Sequence, residues 1–367
     1  MRKEIISKVR NLVIKVGTSV LATNSVIDST KVEKISEEIN ALLDRGIKVC
    51  LVSSGAISSG MSILGMKRRP KNLPELQATA AVGQRYLMDL YAHAFQKYNR
   101  MVAQVLLTQE DLRERKRYLN ARNTIYTLLK EGIIPIVNEN DTVAVEEIKF
   151  GDNDRLSALV ASLLNTELLI LLSDVDGFFI REDVVSLIKE ITPELERWAC
   201  GTRNRELCVG GMSTKLEAAK ICLRAGIPCI IGNGNQPRIL DKIMNGEEIG
   251  TLFLPQEKKL SSRKQWMLFN LSPKGKIYID RGAKEAILKK GKSLLSAGIV
   301  KIEGDFSEAD LVSILDGETK REIGQGITNY SSEELSKIKG LKTSEIEKVL
   351  GYKYYDEVIH RDNLVIL

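Results

Sequence analysis

The chain has 367 residues, a net charge of +6 and 43% hydrophobic residues. This length exceeds one compact core and predicts two domains, and the ordinary hydrophobic content argues against a disordered chain. No apolar run approaches a membrane span, and the first strand follows the N-terminus directly. Five cysteines without metal-type pairs indicate a reduced environment, so we expect a cytoplasmic protein without a membrane segment.

Short apolar runs alternate with helical patterns over the first 255 residues. Such runs are typical of strands buried on both faces of a parallel sheet. The predicted strands are 12–16, 47–52, 102–107, 133–137, 168–172 and 227–231. The pattern predicts an α/β fold with an open, mostly parallel sheet sandwiched by helices, whose ligands bind beyond the carboxyl ends of the strands.

The pattern changes after Pro255. We predict a first domain over 1–255, a basic linker over 256–270, a small β-rich barrel over 271–352 and a tail over 353–367. Residues 271–367 contain sixteen basic and sixteen acidic residues, so the whole positive excess belongs to the first 270 residues. A positive first domain favours an anionic ligand.

Two clusters of short acid and amide side chains lie close together in sequence. One follows the fourth predicted strand at 138–141, and the other opens a helix at 151–158. Such acceptors suit a small cation, either an α-ammonium group or a metal ion. The alternative is that Asp152, Asn153 and Asp154 only cap the helix.

Two lysines lie at positions where a positive charge is unfavourable unless a partner or a bound anion compensates it. Lys15 interrupts the apolar first strand, and Lys215 lies in the first turn of a helix behind Gly210 and Gly211. Thr214 and Glu217 have the spacing of a capping box at that helix start. A glycine-rich helix start binds phosphate well. Alternatively, Lys15 only reaches from the strand end into water, and Gly210 and Gly211 form an ordinary turn before a solvated Lys215.

The chain carries no Walker A spacing and only two histidines, neither near a cluster. Chemistry without a histidine base suits a carboxylate nucleophile, because a carboxylate is already ionised at neutral pH. Phosphoryl transfer to a carboxylate needs alignment and charge neutralisation rather than proton removal.

Five segments in order resemble the amino-acid-kinase family, and the C-terminal part looks like a PUA domain. The matching segments are 13–21, 52–57, 137–143, 151–158 and 210–218. The resemblance implies ATP-dependent phosphorylation of the γ-carboxylate of L-glutamate to γ-glutamyl phosphate, the first step of proline biosynthesis. It also implies Mg²⁺ with ATP, feedback inhibition by proline and a homo-oligomer.

The same resemblance implies roles for individual residues. Lys15 and Lys215 would hold the phosphates, and Asp154 would orient both lysines. Ser54, Asp141 and Asn153 would bind glutamate. The residues implied to line the nucleotide site are Lys15, Ser173, Asp174, Val209, Gly210, Gly211, Met212, Ser213, Thr214 and Lys215. No side chain is assigned to a metal.

Two segments depart from the family pattern and bear on nucleotide preference. The loop after Gly177 is short and lacks the usual Asp-Pro, and Cys208-Val209 replaces a frequent Gly-Thr.

Two other functions compete with glutamate phosphorylation. A related kinase could act on aspartate, acetylglutamate or a nucleoside monophosphate. An RNA-binding protein would need a basic C-terminal domain, and the neutral count there argues against RNA binding.

Overall fold

The computed structural model describes residues 1–23, 26–144, 153–199, 211–255 and 271–367. The chain divides into two compact units, Met1–Leu260 and Ser261–Leu367. The linker predicted at 256–270 lies outside the described residues. In the described part of the chain, no helix has both the length and the apolar character needed to cross a membrane.

The first unit contains twelve strands and eleven helices among its described residues. The strands are β1 (Asn11–Val16), β2 (Ala22–Thr23), β3 (Val26–Ile27), β4 (Lys48–Ser53), β5 (Val102–Leu107), β6 (Ile134–Glu139), β7 (Leu168–Ser173), β8 (Phe179–Ile180), β9 (Asp183–Val184), β10 (Leu187–Ile188), β11 (Cys229–Asn233) and β12 (Thr251–Phe253). The helices are α1 (Arg2–Ile6), α2 (Thr18–Leu21), α3 (Ser29–Asp44), α4 (Ala56–Ile63), α5 (Leu73–Gln96), α6 (Gln109–Arg113), α7 (Arg115–Lys130), α8 (Asp154–Leu164), α9 (Pro193–Ala199), α10 (Met212–Arg224) and α11 (Ile239–Met244).

Eight of these strands form one sheet in the order β10-β12-β11-β7-β1-β4-β6-β5. Every neighbouring pair is parallel except β11 with β12. The predicted open, mostly parallel sheet is therefore confirmed. Because β7, β1, β4 and β6 are neighbours, the segments that follow their carboxyl ends meet at one edge.

The core of the first unit lies between this sheet and its helices. Strands β1 and β7 are buried along almost their whole length, as the continuous apolar runs predict. Helix α3 packs Val32, Ile35, Ile39 and Leu42 against the sheet. Its N-terminus is capped by Asp28, whose side chain accepts a hydrogen bond from the Thr30 amide.

Helices α4 and α5 approach each other at backbone distance. A Cβ atom on Gly60 would lie 1.9 Å from the carbonyl oxygen of Thr79, and one on Gly83 would lie 1.9 Å from that of Ala56. Only glycine fits at both positions. This close packing places the N-terminal end of α4 and the middle of α5 beside the ends of β4 and β6.

The second unit has its own five-stranded sheet, in the order β14-β13-β15-β16-β17. Its strands are β13 (Gly275–Ile279), β14 (Ile299–Gly304), β15 (Leu311–Asp316), β16 (Glu322–Ile327) and β17 (Leu364–Ile366), and its helices are α12 (Arg281–Lys290), α13 (Ser332–Ile338) and α14 (Ile346–Leu350). Strands β13 and β15 are parallel, and the other pairs are antiparallel.

One expectation for this unit needs correction. The segment 353–367, expected as a separate tail, supplies edge strand β17 of the second sheet. The glycine-rich segment Gly324-Gln325-Gly326 lies inside β16. A Cβ atom on Gly324 would lie 2.5 Å from the Val365 carbonyl oxygen, so these glycines permit the close approach of β17 rather than a reversal of the chain.

Candidate active site

A buried carboxylate lies between the two lysines that the sequence singles out. The Lys15 ammonium is 2.6 Å from Oδ1 of Asp154, and the Lys215 ammonium is 3.0 Å from Oδ2 of the same residue. The exposed fractions of the three residues are 2%, 7% and 0% for Lys15, Lys215 and Asp154. The three side chains together bring two ammonium groups and one carboxylate into a site that is almost closed to water.

Three different elements position this cluster. Lys15 lies on β1 between β4 and β7, one residue before the strand ends. Asp154 is the first residue of α8, and Lys215 lies in the first turn of α10. The Thr214 hydroxyl also donates to Oδ2 of Asp154, at 2.9 Å. Two ammonium groups at these converging ends are suited to an anion such as a phosphoryl group.

Gly17 follows β1 and packs closely against the end of β7. A Cβ atom there would lie 3.2 Å from the Leu172 carbonyl oxygen and 3.6 Å from Nζ of Lys15. The backbone N–H of Gly17 donates to that carbonyl at 3.0 Å, which fixes the turn after β1 against the end of β7. A larger residue would therefore crowd the Leu172 carbonyl oxygen, whereas its Cβ atom would be in ordinary contact with the lysine.

A polar cleft adjoins the charged cluster at the ends of β4 and β6. Its cavity volume is about 40 Å³, within an open recess of about 440 Å³ that includes solvent space. It is lined by Thr18, Ser54, Gly55, Ala56, Ile57, Ser58, Arg69, Asn138, Glu139, Asp141 and Asn153. The three residues expected to bind a substrate, Ser54, Asp141 and Asn153, are therefore brought together in one cavity. Asn153 is followed directly by Asp154, so the cleft and the lysines are neighbours.

Asn153 uses its side chain to bridge two strands. Its Nδ2 group donates to the Ser53 carbonyl oxygen at 2.6 Å and to Oδ1 of Asn138 at 2.5 Å. It makes no side-chain capping bond to α8, so helix capping is not its role. With both amide hydrogens used, Oδ1 is the atom that Asn153 has left for a ligand. Asp152, another of the three residues in the capping alternative, lies outside the described residues.

A buried polar network behind the cleft was not predicted from the sequence. The Nδ2 group of Asn138 donates to Oε1 of Gln84 at 2.6 Å, and the Tyr91 hydroxyl is 3.0 Å from the Ser53 hydroxyl. Gln84 and Tyr91 both lie on α5, which fixes the supports of Asn153 from behind. Gln84 is 8% exposed although it carries a polar amide. The Asn138 position in the acid and amide cluster was the only sequence signal for this network.

Asp141 has a carboxyl group that is costly to ionise. Burial raises its pKa to about 6, and the charge of Arg69 counteracts part of this rise. A cation bound against Asp141 would favour the ionised form. The Ser54 hydroxyl is also buried, and it has no hydrogen-bond partner among the described residues. Both groups therefore suit a ligand that carries an ammonium group and further polar atoms.

The residues expected to line a nucleotide site are only partly described. Ser173 ends β7 and is buried, whereas Asp174 is exposed in the turn that follows. Gly211, Met212, Ser213 and Thr214 lie at the start of α10 beside Lys215. Val209, Gly210 and Cys208 lie outside the described residues. The short segment after Gly177 forms the hairpin β8–β9.

The capping box expected at Thr214 and Glu217 is not formed. Helix α10 begins at Met212, with Gly211 as its N-cap at a φ of +76°. Thr214 therefore already lies within the helix and bonds Asp154, and Glu217 forms an ion pair with Arg155. The positive φ of Gly211 lets the chain enter the helix abruptly, so the helix starts earlier than the sequence pattern indicates.

The described ranges contain no group of three or more His, Cys, Asp or Glu side chains placed to hold a metal ion. Cys50, Cys222 and Cys229 are buried free thiols. Burial raises the pKa of Cys50 to about 12, so this thiol is not a nucleophile at neutral pH.

Comparison with known proteins agrees with this architecture. Residues 10–233 match the amino acid kinase family, and residues 275–350 match the PUA domain. The glutamate 5-kinase of Thermoanaerobacter sp. (strain X514) is 50% identical over 364 residues, which covers 97% of each chain. The glutamate 5-kinase of Syntrophotalea carbinolica is 48% identical over the full length of both chains. Among solved structures, carbamate kinase from Giardia lamblia bound to AMP-PNP aligns with a TM-score of 0.48 and 19% identity over 68% of this chain and 100% of that chain. The chain therefore belongs to the amino acid kinase family, in the branch formed by the glutamate 5-kinases, and carries a PUA domain in its C-terminal part.

Proposed function

We propose that this protein transfers the γ-phosphoryl group of MgATP to the γ-carboxylate of L-glutamate. The products are ADP and γ-glutamyl phosphate, and the reaction is the first step of proline biosynthesis. The observation that carries the proposal is the buried Lys15–Asp154–Lys215 cluster beside a cleft with acceptors for an amino acid. Relatives about 50% identical over nearly the whole chain support the choice of glutamate.

The reaction needs one bond to form and one to break. A γ-carboxylate oxygen attacks the γ-phosphorus, and the bond from that phosphorus to the β-γ bridging oxygen breaks, so the electron pair leaves with ADP. The carboxylate attacks in its ionised form, so no base is required. This agrees with a cleft whose described lining contains no histidine.

Lys15 and Lys215 would neutralise charge on the transferring group. Their ammonium groups come from opposite elements, a strand end and a helix start, and both contact Asp154. Asp154 would hold the two lysines in place without touching the substrate. Fixed charges in a buried site stabilise a charged transition state without reorganising at the moment of reaction.

The cleft would hold the amino acid. Asp141 would accept hydrogen bonds from the α-ammonium, and Ser54 and Oδ1 of Asn153 would contact other polar atoms of glutamate. Ser173, Asp174 and residues 209–215 would line the nucleotide site. Mg²⁺ would enter with ATP as part of the substrate and neutralise phosphate charge. From the family resemblance we further expect cytoplasmic homo-oligomers that proline inhibits.

An acceptor screen tests the proposed reaction. The purified full-length chain is assayed with MgATP and glutamate, aspartate, acetylglutamate or UMP, and hydroxylamine traps any acyl phosphate. We expect hydroxamate and ADP in equal amounts with glutamate, and both formed on the order of 10²–10³ times more slowly by a Lys15→Ala variant. ADP release with aspartate or UMP but not with glutamate would refute the assignment.

A further inference from the structure

The loop between α4 and α5 brings one arginine to the substrate cleft. Lys67, Arg68 and Arg69 form a basic run in this loop. From the sequence alone, such a charge run is typical of a solvated surface. Of the three, Arg69 lines the cleft, together with Ser54, Asp141 and Asn153. Arg69 therefore differs from its two basic neighbours, because it is the residue of the run that lines the cleft.

The charges along the cleft are unevenly distributed. Among the lining residues that the structure describes, Glu139 and Asp141 are acidic and Arg69 is the one cation. Lys15 and Lys215 lie beyond Asn153, where they contact Asp154. The described lining thus combines two carboxylates with a guanidinium, and Asn153 in that lining directly precedes the residue that contacts the two ammonium groups.

Arg69 and Asp141 are close enough to influence each other electrostatically, since the charge of Arg69 opposes the effect of burial on the pKa of Asp141. An α-amino acid carries its ammonium and its α-carboxylate on the same carbon. Groups that bind the two charges must therefore be neighbours, as Asp141 and Arg69 are. A guanidinium offers two parallel N–H groups to a carboxylate, which fixes its orientation as well as its charge.

We propose that Arg69 binds the α-carboxylate of the substrate and thereby selects free glutamate over glutamate whose α-carboxyl group is amidated or in a peptide bond. This inference rests on the proposed function. With the α-carbon held between Arg69 and Asp141, the γ-carboxylate is the group that reaches toward Lys15 and Lys215. Arg69 thus helps to decide which of the two carboxylates becomes phosphorylated.

The test compares glutamate with isoglutamine, which has the same shape and an intact γ-carboxylate but a neutral α-carboxamide. The full-length wild type and Arg69→Gln are assayed with both compounds at pH 8. Burial raises the pKa of Asp141 to about 6 and the loss of the Arg69 charge raises it further, so a pH of 8 keeps the Asp141 carboxyl group ionised in both proteins. Isoglutamine is measured as a substrate or, where it is not turned over, by its inhibition constant.

We expect Arg69→Gln to lower kcat/KM for glutamate about 10- to 100-fold, mainly through KM, as for loss of hydrogen bonds to a charged group. The constants for isoglutamine should change less than about 3-fold, so the preference for glutamate collapses. Arg69→Lys should recover part of the loss because it keeps the charge without the planar fork. The matched control Arg68→Gln should behave as wild type.

Equal losses for both compounds, or none for glutamate, would overturn the role of Arg69 while leaving the kinase reaction intact. A wild type that makes no acyl phosphate from glutamate would instead overturn the proposed function, and the Arg69 inference with it. Melting temperatures of all variants show whether each is folded. Arg69 is exposed, so we expect those temperatures to match wild type.

Discussion

Replacing Asp154 with asparagine should destabilise the protein more than removing either lysine that it contacts. The substitution keeps the size of the side chain and removes its charge. Asp154 is fully buried and pairs with Lys15 at 2.6 Å and with Lys215 at 3.0 Å. Without it, two ammonium groups that are at most 7% exposed lose the carboxylate that both contact.

The expected size of the effect follows from this geometry. Removing one partner of a buried ion pair costs about 3–5 kcal/mol, because the other charge stays desolvated and uncompensated. Here one carboxylate serves two lysines, so Asp154→Asn should lower the free energy of unfolding by at least that amount. For a unit of this size the loss corresponds to a melting temperature roughly 6–20 °C lower.

Lys15→Met and Lys215→Met are the matched controls. Each leaves one lysine paired with Asp154, which is a neutral pair, so each should cost less, on the order of 1–2 kcal/mol. The double variant Lys15→Met/Asp154→Asn leaves a single ammonium and should be more stable than Asp154→Asn alone. This double-mutant cycle isolates the interaction between the two charges.

The assay combines urea and thermal unfolding with kinetics. Inorganic phosphate should stabilise Asp154→Asn more than wild type, because an anion can replace the missing charge. Wherever the variants fold, the loss of Lys15 or Lys215 should lower kcat on the order of 10²–10³, with smaller changes in the KM for glutamate. An Asp154→Asn variant as stable as wild type, or more stable than both lysine variants, would refute the reasoning.

Four further predictions concern the cleft and the second unit. Asp141→Ala and Asn153→Ala should each weaken glutamate binding by roughly 2–5 kcal/mol, seen as a raised KM; an unchanged KM in folded variants would exclude these residues from the site. Because burial raises the pKa of Asp141 to about 6 and a bound ammonium favours its ionised form, the KM for glutamate should rise as pH falls through 6. Asp141→Asn should lack this dependence, and persistence there would assign the titration to another group. Gln84→Leu should raise the KM for glutamate and cost about 1–3 kcal/mol of stability, because Asn138 loses its buried acceptor; wild-type values would contradict this. Deleting the chain from residue 271 should leave measurable kinase activity, and a folded but inactive truncation would show that the second unit is required.

The sequence alone determined the six parallel strands that make up most of the sheet in the first unit. Six short apolar runs became six neighbouring strands, because a strand buried on both faces needs apolar side chains at successive positions. The same reasoning identified Lys15, which is conspicuous as a charge inside an apolar strand, and Lys215 behind its glycines. These signals are local, since each can be seen within one element.

The tertiary structure decided the contacts that no single element contains. Asp154 contacts both lysines because β1, α8 and α10 converge in the folded chain. Gln84 lies on a helix where a polar residue is unremarkable, and its burial against Asn138 follows from the close packing of α4 on α5. In the sequence, Arg69 cannot be distinguished from its basic neighbours. In the folded chain, it lines the cleft. In each case the chemistry depends on distances between residues far apart in the chain, and periodicity along the chain carries no information about those distances.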